Sequence, residues 1–255
     1  MNFLVVWFYI FSLLYAAPIE EKGEEISSEY GNFFHGDIML TPEQERELSN
    51  EGRDGRSGIL YASNRWPKIG NLVYVPYVIN SEYSLSDVQK IVKAINEFND
   101  LTCIRFVLRD NQADYINIVN GTGCSSYIGR ISGPQTINLR IPGCLSHGII
   151  MHEFIHALGY QHMHSDERRD SYVKINWDNI QDEYKRPFEK LNSKSYGNFG
   201  TSYDLDSVMH YSGTAFSKNR KLTIETLDPN YQNRIGQRKK LSSGDVIRIN
   251  NMYDC

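Results

Sequence analysis

An excess of positive charge is the first feature that this chain lacks. Its 255 residues carry 27 lysines and arginines against 31 aspartates and glutamates, which gives a formal net charge of -4. Because nucleic-acid binding depends on a basic surface that neutralises phosphates, the composition predicts no nucleic-acid partner. Cysteine is also scarce, with four residues and no C-x-x-C pair. The sequence therefore does not favour a zinc site built from paired cysteines.

Long apolar runs are equally rare, and the one at Phe3 to Leu14 stands near the start of the chain. It is shorter than the roughly 20 residues that span a bilayer, and Ala16 and Ala17 follow it before the sequence turns acidic. This pattern is typical of a secretory signal peptide; an uncleaved membrane anchor is the weaker alternative. We therefore expect residues 1–17 to be a signal peptide and the product to be secreted and extracellular, with no membrane association.

An even number of cysteines in a secreted chain favours two disulfides. The four residues are Cys103, Cys124, Cys144 and Cys255. They allow three pairings, and their spacing alone does not choose among these. The secretory route would also make the sequon Asn120–Thr122 available, so Asn120 is a predicted glycosylation site.

The stretch from Pro18 to Arg56 is acidic and polar, with few large apolar residues. Such a segment cannot build a core of its own. It ends in Arg53–Arg56, a basic stretch that contains a glycine and that we expect to be exposed and open to proteolysis. A flexible linker is the alternative interpretation of this stretch.

Patterning typical of a folded domain begins near Trp66. Strand composition predicts strands at Leu72–Ile79, Ile104–Leu108, Tyr115–Val119 and Ile137–Leu139. After the first strand, apolar residues at helical spacing predict a helix, and the pair Ser86 and Gln89 has the pattern of a capping box. Ser146–Leu158 predicts a second helix, and Ser242–Asp245 opens a final one. The region between them is polar, rich in turns and mostly irregular.

Three histidines and one glutamate form the most informative pattern. His152 and His156 lie four residues apart, so on a helix they share one face, with Glu153 beside them. Gly159 can end that helix and turn the chain so that His162 returns to the same point. Three histidine ligands leave one zinc position open, which marks a catalytic rather than a structural site. A short H-E-x-x-H also arises by chance on ordinary helices, whereas the longer string is much more specific.

The longer string matches the metzincin pattern H-E-x-x-H-x-x-G-x-x-H, which requires a methionine-containing turn later in the chain. Ser207–Tyr211 supplies that turn. Together with Cys124–Arg130 and Arg169–Val173, these blocks closely resemble the astacin family of secreted zinc metalloendopeptidases. The resemblance covers roughly residues 57–255, and several separated blocks in the same order make it specific.

The resemblance implies an α+β, two-subdomain metzincin fold. Its elements would be a twisted, mostly parallel sheet, two long helices above the cleft, and a largely irregular C-terminal half that ends in a helix. It implies an endopeptidase that hydrolyses peptide bonds in protein or peptide substrates with zinc-activated water. A secreted binding protein that retains the fold without catalysis is the alternative. We expect a monomer.

The resemblance also assigns roles to residues of the site. His152, His156 and His162 would bind one Zn²⁺ per chain, and Glu153 would be the general base. Met209 would form the hydrophobic floor under the metal. Tyr211 would be a catalytic residue and a movable fifth ligand.

A second set of implications concerns latency. Phe34–Asp37 is similar to the inhibitory motif of astacin pro-segments, in which Asp37 would bind zinc in the zymogen only. In isolation these residues would indicate a simple turn. The resemblance implies that residues 18–56 are a propeptide that inhibits its own enzyme, that activation cuts the Arg56–Ser57 bond, and that residues 57–255 are the peptidase domain.

Two further implications concern stability and specificity. The resemblance implies the disulfides Cys103–Cys255 and Cys124–Cys144. Arg238 matches a basic position that lines the S1′ pocket in some relatives, which would favour an acidic residue just after the scissile bond. The alternative is a solvated arginine beside two lysines.

The chain departs from the family pattern after its third histidine. The family usually has a glutamate there, which receives the new N-terminal ammonium through water, and an arginine three residues later. This chain has Met163 and Asp166. Because methionine cannot hold an ammonium, the usual coupling between activation and burial of Ser57 is not expected in this form.

Overall fold

The structure, a computed structural model, describes residues 33–49, 64–191 and 197–255. The predicted signal peptide and the predicted cut between Arg56 and Ser57 lie outside these ranges, as do residues 18–32. Across the described ranges, no helix combines the length and apolar character needed to cross a membrane.

A mostly parallel sheet of seven strands organises the first half of the described chain. In chain order the strands are β1 (Ile38–Met39), β2 (Lys68–Ile69), β3 (Leu72–Ile79), β4 (Ile104–Leu108), β5 (Tyr115–Val119), β6 (Cys124–Tyr127) and β7 (Pro134–Leu139). Their spatial order is β1-β6-β7-β5-β3-β2, and β4 also pairs with β3. β2 and β6 are antiparallel to their neighbours β3 and β7, whereas the other pairs are parallel.

Three of the four predicted strands, β3, β4 and β5, have the predicted bounds, and β7 starts three residues earlier than predicted. β6 was not predicted, because two serines stand at its centre. Ser125 and Ser126 are nevertheless fully buried, and Ser126 pairs with Ile38 of β1. β6 is therefore held by main-chain pairing on both sides rather than by apolar side chains.

Two long helices cover the sheet. α1 (Pro42–Ser49) is a short helix of the N-terminal segment, while α2 (Leu85–Leu101) and α3 (His147–Ala157) pack against each other. The prediction that Ser86 caps α2 is wrong. The cap is Ser84, whose side chain accepts a hydrogen bond from the Asp87 N–H, because a cap must precede the first helical residue.

The core lies where α2 and α3 meet the sheet. Phe98 of α2, Phe106 of β4 and Phe154 of α3 form an aromatic cluster. The ring centroid of Phe106 lies 4.8 Å from that of Phe154 and 5.4 Å from that of Phe98. Both contacts are edge-to-face, a favourable geometry for aromatic pairs. This cluster fixes α3, the histidine helix, against the sheet.

The second half is irregular, as predicted. It contains short 3₁₀ turns and a two-stranded antiparallel sheet of β8 (Val173–Ile175) and β9 (Ile224–Thr226). The final helix, α4 (Ser243–Met252), begins after Ser242 with a complete capping box: the Ser242 hydroxyl accepts from the Asp245 N–H, and the Asp245 carboxylate accepts from the Ser242 N–H.

The N-terminal segment lies along the edge of the sheet. β1 pairs parallel with β6, and α1 follows. Gln44 of α1 is buried and donates a hydrogen bond to the Ile128 carbonyl at 3.0 Å, while Ile38 packs on Ile128. The described part of the segment, residues 33–49, is therefore held by contacts with the rest of the chain.

Two disulfides, Cys103–Cys255 and Cys124–Cys144, are present in the structure. The first joins the residue that precedes β4 to the C-terminal residue, 152 positions apart, and the second joins β6 to the segment before α3 across 20 positions. The pairing is the one that the family resemblance implies.

Loss of the long-range disulfide should destabilise the protein more than loss of the short one. In the chain-entropy estimate, closing loops of these lengths is worth about 5 kcal/mol for Cys103–Cys255 and about 3 kcal/mol for Cys124–Cys144. Urea unfolding of the two double serine variants measures the difference. Equal losses, or a larger loss for the short loop, would contradict this estimate from loop length.

Candidate metal centre

The helix α3 places two of the three histidines. Every residue from Gly148 to Ala157 is buried, so this is an apolar core helix that carries imidazoles inside the protein. His152 and His156 lie one turn apart on one face. Gly159, with φ of 110°, ends the helix, and a Cβ there would lie 2.8 Å from the Met252 side chain. Only glycine allows this turn, which returns the chain to the site at His162.

The three imidazoles converge on one point. The Nε2 of His152 lies 3.1 Å from the Nε2 of His156 and 3.1 Å from that of His162, and the last two are 3.3 Å apart. The carboxylate of Asp37 closes the group: its Oδ2 is 3.1 Å from His152 and 3.2 Å from His162, and its Oδ1 is 3.5 Å from His156. All four side chains are fully buried.

Main-chain carbonyls fix the protonation of two rings. The Nδ1 of His152 lies 2.9 Å from the Val208 carbonyl, and the Nδ1 of His156 lies 2.6 Å from the Tyr160 carbonyl. A carbonyl oxygen only accepts, so each Nδ1 carries the proton and donates it. In the neutral ring this leaves the Nε2 lone pair directed into the group, the arrangement that metal-binding histidines commonly have.

Burial keeps the site in the charge state that a cation needs. Loss of hydration lowers the pKa of His152 to about 4, with the positive charge of Arg238 as the next cause, and loss of hydration likewise lowers the pKa of His162 to about 3. Burial by itself would raise the pKa of Asp37, but the adjacent His162 and His156 hold it well below its ordinary value. At neutral pH the group is thus two neutral imidazoles and a carboxylate around a common centre, with His156 as the third nitrogen.

The donor set fits one zinc ion. Four ligands arranged tetrahedrally at the zinc distances of about 2.0–2.1 Å are about 3.3 Å apart, which agrees with the nitrogen separations of 3.1–3.3 Å. Lone pairs directed at each other so closely repel unless a cation lies between them. Among the described residues these four are the one group of three or more histidine, cysteine or carboxylate side chains whose ligand atoms lie close enough to hold a metal.

Comparison with known proteins agrees with the geometry. The profile of the Astacin peptidase family matches residues 59–254. The chain belongs to the astacin family. High choriolytic enzyme 1 of Oryzias latipes is 46% identical over 191 residues, which are 74% of this chain and 70% of that protein. Zinc metalloproteinase nas-6 of Caenorhabditis elegans is 42% identical over 181 residues, which are 71% of this chain and 52% of that protein, so the chain spans about half the length of that relative.

The fold is also that of a solved astacin-family enzyme. A structure described as high choriolytic enzyme 1, a hatching enzyme zinc-protease from Oryzias latipes, matches with a TM-score of 0.72 at 44% identity and covers 76% of this chain and 96% of that chain. The predicted α+β fold, the family and the zinc cofactor are confirmed, and the chain is an astacin-family zinc metallopeptidase.

The other residues with implied catalytic roles lie beside the histidines. Glu153 follows His152 on α3 and is fully buried. Tyr211 is also fully buried, with its ring centroid 4.5 Å from that of His162 and 3.9 Å from that of His164. The Tyr211 hydroxyl donates a hydrogen bond to the His35 carbonyl, two residues before Asp37. The N-terminal segment therefore contacts both the ligand group and Tyr211.

The turn that carries Met209 is held by a carboxylate that the sequence did not point to. Asp245 of α4 accepts from the Ser207 hydroxyl at 2.6 Å and from the Val208 N–H at 3.0 Å, and burial raises its pKa. Met209 is buried, and its carbonyl accepts from the Met163 N–H. In the capping box Asp245 is the third helical residue, whose carboxylate accepts from the N–H of the cap Ser242, but nothing local predicts its long-range role.

Asp37 reaches the site through a tight turn. His35 and Gly36 both have positive φ, 50° and 93°, and an isolated bridge joins Phe33 to Gly36. The simple-turn interpretation of this motif is therefore right about its backbone. The turn nevertheless directs Asp37 into the histidine group, which sequence reasoning from these residues alone did not predict.

Met163 stands next to the third histidine and is fully buried, with its sulfur 3.6 Å from an Arg248 nitrogen. Asp166 is buried and binds Arg168 through two side-chain hydrogen bonds, at 2.6 and 2.9 Å. Ser57, whose ammonium would make the usual contact after the predicted cut, is outside the described residues. Asp166 is engaged by Arg168 in this state.

Two further predicted residues are outside the group of four ligands. Asn120 is exposed, and its Oδ1 accepts from the Ile141 N–H at 2.8 Å; its glycosylation stays a prediction. Arg238 is half-buried, and its Nη1 donates to the carbonyls of Val208 and His210. Arg238 is thus not the solvated arginine of the alternative interpretation, and its S1′ role stays a prediction.

Proposed function

We propose that this protein is a secreted zinc endopeptidase, made as a zymogen, in which Glu153 is the general base. The observation that carries the proposal is the convergence of three imidazole nitrogens and the Asp37 carboxylate within 3.1–3.5 Å in a fully buried group. Zinc bound by the three imidazoles would have room for one more ligand, and the Asp37 carboxylate would supply it.

In this proposal Glu153 is the residue that moves protons at the metal centre. When bound, zinc supplies Lewis-acid chemistry and makes water a nucleophile near neutral pH. Glu153 takes a proton from the attacking water as the peptide carbonyl is attacked, and it then delivers that proton to the leaving amine. Its position next to His152 on the buried helix α3 supports this role.

Tyr211 would stabilise the oxyanion once the His35 carbonyl no longer accepts its hydroxyl. A hydrogen bond to a charged group is worth about 1.5–3 kcal/mol, so Tyr211→Phe should lower kcat of the processed enzyme by about 10- to 100-fold. KM should change little, since the bond is made to the transition state. Steady-state kinetics at full zinc occupancy measures this. An unchanged kcat would exclude the role.

Contacts of the N-terminal segment support latency. The Asp37 carboxylate lies 3.1 Å from the Nε2 of His152, where it would be a further zinc ligand, the His35 carbonyl accepts from the Tyr211 hydroxyl, and β1 pairs with β6. A substrate that needs any of these groups is excluded while the segment is in place. We propose that residues 18–56 are the propeptide, that cleavage at Arg56–Ser57 releases it, and that residues 57–255 are the peptidase domain.

Secretion is part of the proposal for two reasons. Residues 1–17 have the composition of a signal peptide, and both disulfides need an oxidising compartment. We also propose that the enzyme acts on protein or peptide substrates and that it is a monomer.

Cleavage of internal peptide bonds in an unfolded protein tests the enzyme against the silent binding protein. The chain is expressed with its propeptide, cut by an arginine-specific protease, loaded with zinc and incubated with denatured casein. Mass spectrometry should find internal fragments with the cut chain and none with the uncut chain. A cut, zinc-loaded chain that yields no fragments would favour the binding protein.

A further inference from the structure

Arg238 joins the turn of Met209 to a zinc ligand. Its Nη1 donates to the Val208 carbonyl at 2.8 Å and to the His210 carbonyl at 3.1 Å. The Val208 carbonyl is also the acceptor for the Nδ1 of His152, at 2.9 Å. One carbonyl oxygen, which has two lone pairs, is therefore shared by a guanidinium and a ligand imidazole.

The main chain of Arg238 contacts the helix that carries the same ligand. Its carbonyl accepts from the Gly148 N–H at 3.1 Å, in the first turn of α3. A Cβ at Gly148 would lie 2.0–2.3 Å from the main-chain atoms of Arg238, so only glycine allows the approach. Arg238 thus contacts both elements that determine where the His152 ring lies.

The loop around Arg238 is itself fixed. Gly236 has φ of 75°, and a Cβ there would lie 2.3–2.6 Å from Ser212. At the other end, the Leu241 N–H donates to Glu97 of α2 at 3.0 Å, and the second oxygen of that carboxylate is 2.7 Å from the Nε2 of His147. The loop is therefore held close to α2, α3 and the residue that follows Tyr211.

We propose that Arg238 is a positioning residue of the metal centre, which orients His152 by holding the Val208 carbonyl against its Nδ1–H. The physical reason is that a ligand imidazole turns about its own bonds unless its second nitrogen is fixed, and that loss of such outer partners typically lowers metal affinity by about 10- to 100-fold. Without the guanidinium, the carbonyls of Val208 and His210 would both lose their charged donor.

This role and the S1′ role make different predictions. A residue that only selects an acidic side chain after the scissile bond affects acidic substrates and leaves zinc affinity alone. A residue that positions His152 affects zinc affinity and affects every substrate alike. The kinetic half of this comparison rests on the proposed function, but the zinc half does not.

The experiment compares Arg238→Ala and Arg238→Lys with Lys239→Ala, a matched loss of the exposed neighbouring cation. Zinc affinity is measured by competition with a chromogenic chelator. Turnover is measured on two peptides that differ by Asp or Ala just after the scissile bond. Circular dichroism checks the fold, and Arg238→Lys, which keeps the cation but not the planar fork, serves if the alanine variant does not fold.

We expect Arg238→Ala to lower zinc affinity by about 10- to 100-fold. The variant should also lower kcat, and the loss should be equal for the two peptides. Arg238→Lys should recover part of each loss, and Lys239→Ala should match the parent. Unchanged zinc affinity in both Arg238 variants, or a loss of turnover confined to the Asp peptide, would overturn the proposal. A parent chain that cleaves neither peptide would refute the peptidase, while the zinc measurement would still decide the positioning role.

Discussion

Glu153→Gln should lower kcat of the processed enzyme by about 10²- to 10⁴-fold, the usual contribution of a general acid–base group. The amide has nearly the same shape as the carboxylate but cannot accept the proton of the attacking water at neutral pH. Because Glu153 is fully buried on the rigid helix α3, an isosteric change should leave the fold and the three histidines in place. The variant should therefore bind zinc and lack turnover.

The control is Glu167→Gln, which removes the same charge from an exposed position close to the third histidine. It should keep parent-like kcat and zinc content. Turnover and zinc stoichiometry are measured on the same preparations, so that loss of metal is not mistaken for loss of the base. If Glu153→Gln turns over like the parent, Glu153 is not the base. If it binds no zinc, the residue supports the site rather than the chemistry.

Asp37→Ala should remove the latency of the uncut precursor. Asp37 is a buried carboxylate whose pKa is held well below its ordinary value by His162 and His156, against the opposing effect of burial. Breaking such a buried charge interaction typically costs about 3–5 kcal/mol. At 1.4 kcal/mol for each factor of ten, the uncut variant should hydrolyse a small peptide about a hundredfold to a few thousandfold faster than the uncut parent.

Glu43→Ala is the matched control, because Glu43 is an exposed carboxylate of α1 in the same segment. It should leave the precursor as silent as the parent. Gel electrophoresis after the assay must show an intact propeptide in all three chains. A silent uncut Asp37→Ala chain, obtained from a preparation that becomes active on cutting, would mean that the pairing of β1 with β6 or the contact with Tyr211 maintains latency without the carboxylate.

The sequence predicted the parts of this molecule that depend on local pattern. Apolar runs with β-branched residues placed β3, β4 and β5, and the spacing of His152 and His156 on one helix followed from the 3.6-residue repeat. The turn at Gly159 was predictable because the turn needs a positive φ and glycine adopts such a φ readily. Each of these features is determined within a few residues of chain.

One error is local, since the capping serine of α2 is Ser84 and not Ser86; the other features that were missed depend on contacts between distant segments. β6 carries serines and is a strand because its main chain is paired on both sides with β1 and β7. The hydrogen bond from the Ser207 hydroxyl to the Asp245 carboxylate joins residues 38 positions apart. The carbonyl of Val208 has no sequence signal at all, since every residue of the chain offers the same main-chain acceptor. Backbone partners of a site are therefore the part that a single sequence cannot predict.

Zinc titration of the processed, metal-free enzyme tests the central claim most directly. The cut chain is stripped with a chelator, and zinc is returned in steps while peptide turnover and bound zinc are measured in the same samples. One ligand group of three histidines predicts no turnover without metal, a linear rise with zinc, and a plateau at one ion per chain. Turnover that persists in the metal-free chain, or zinc that binds at one equivalent without turnover, would contradict the account.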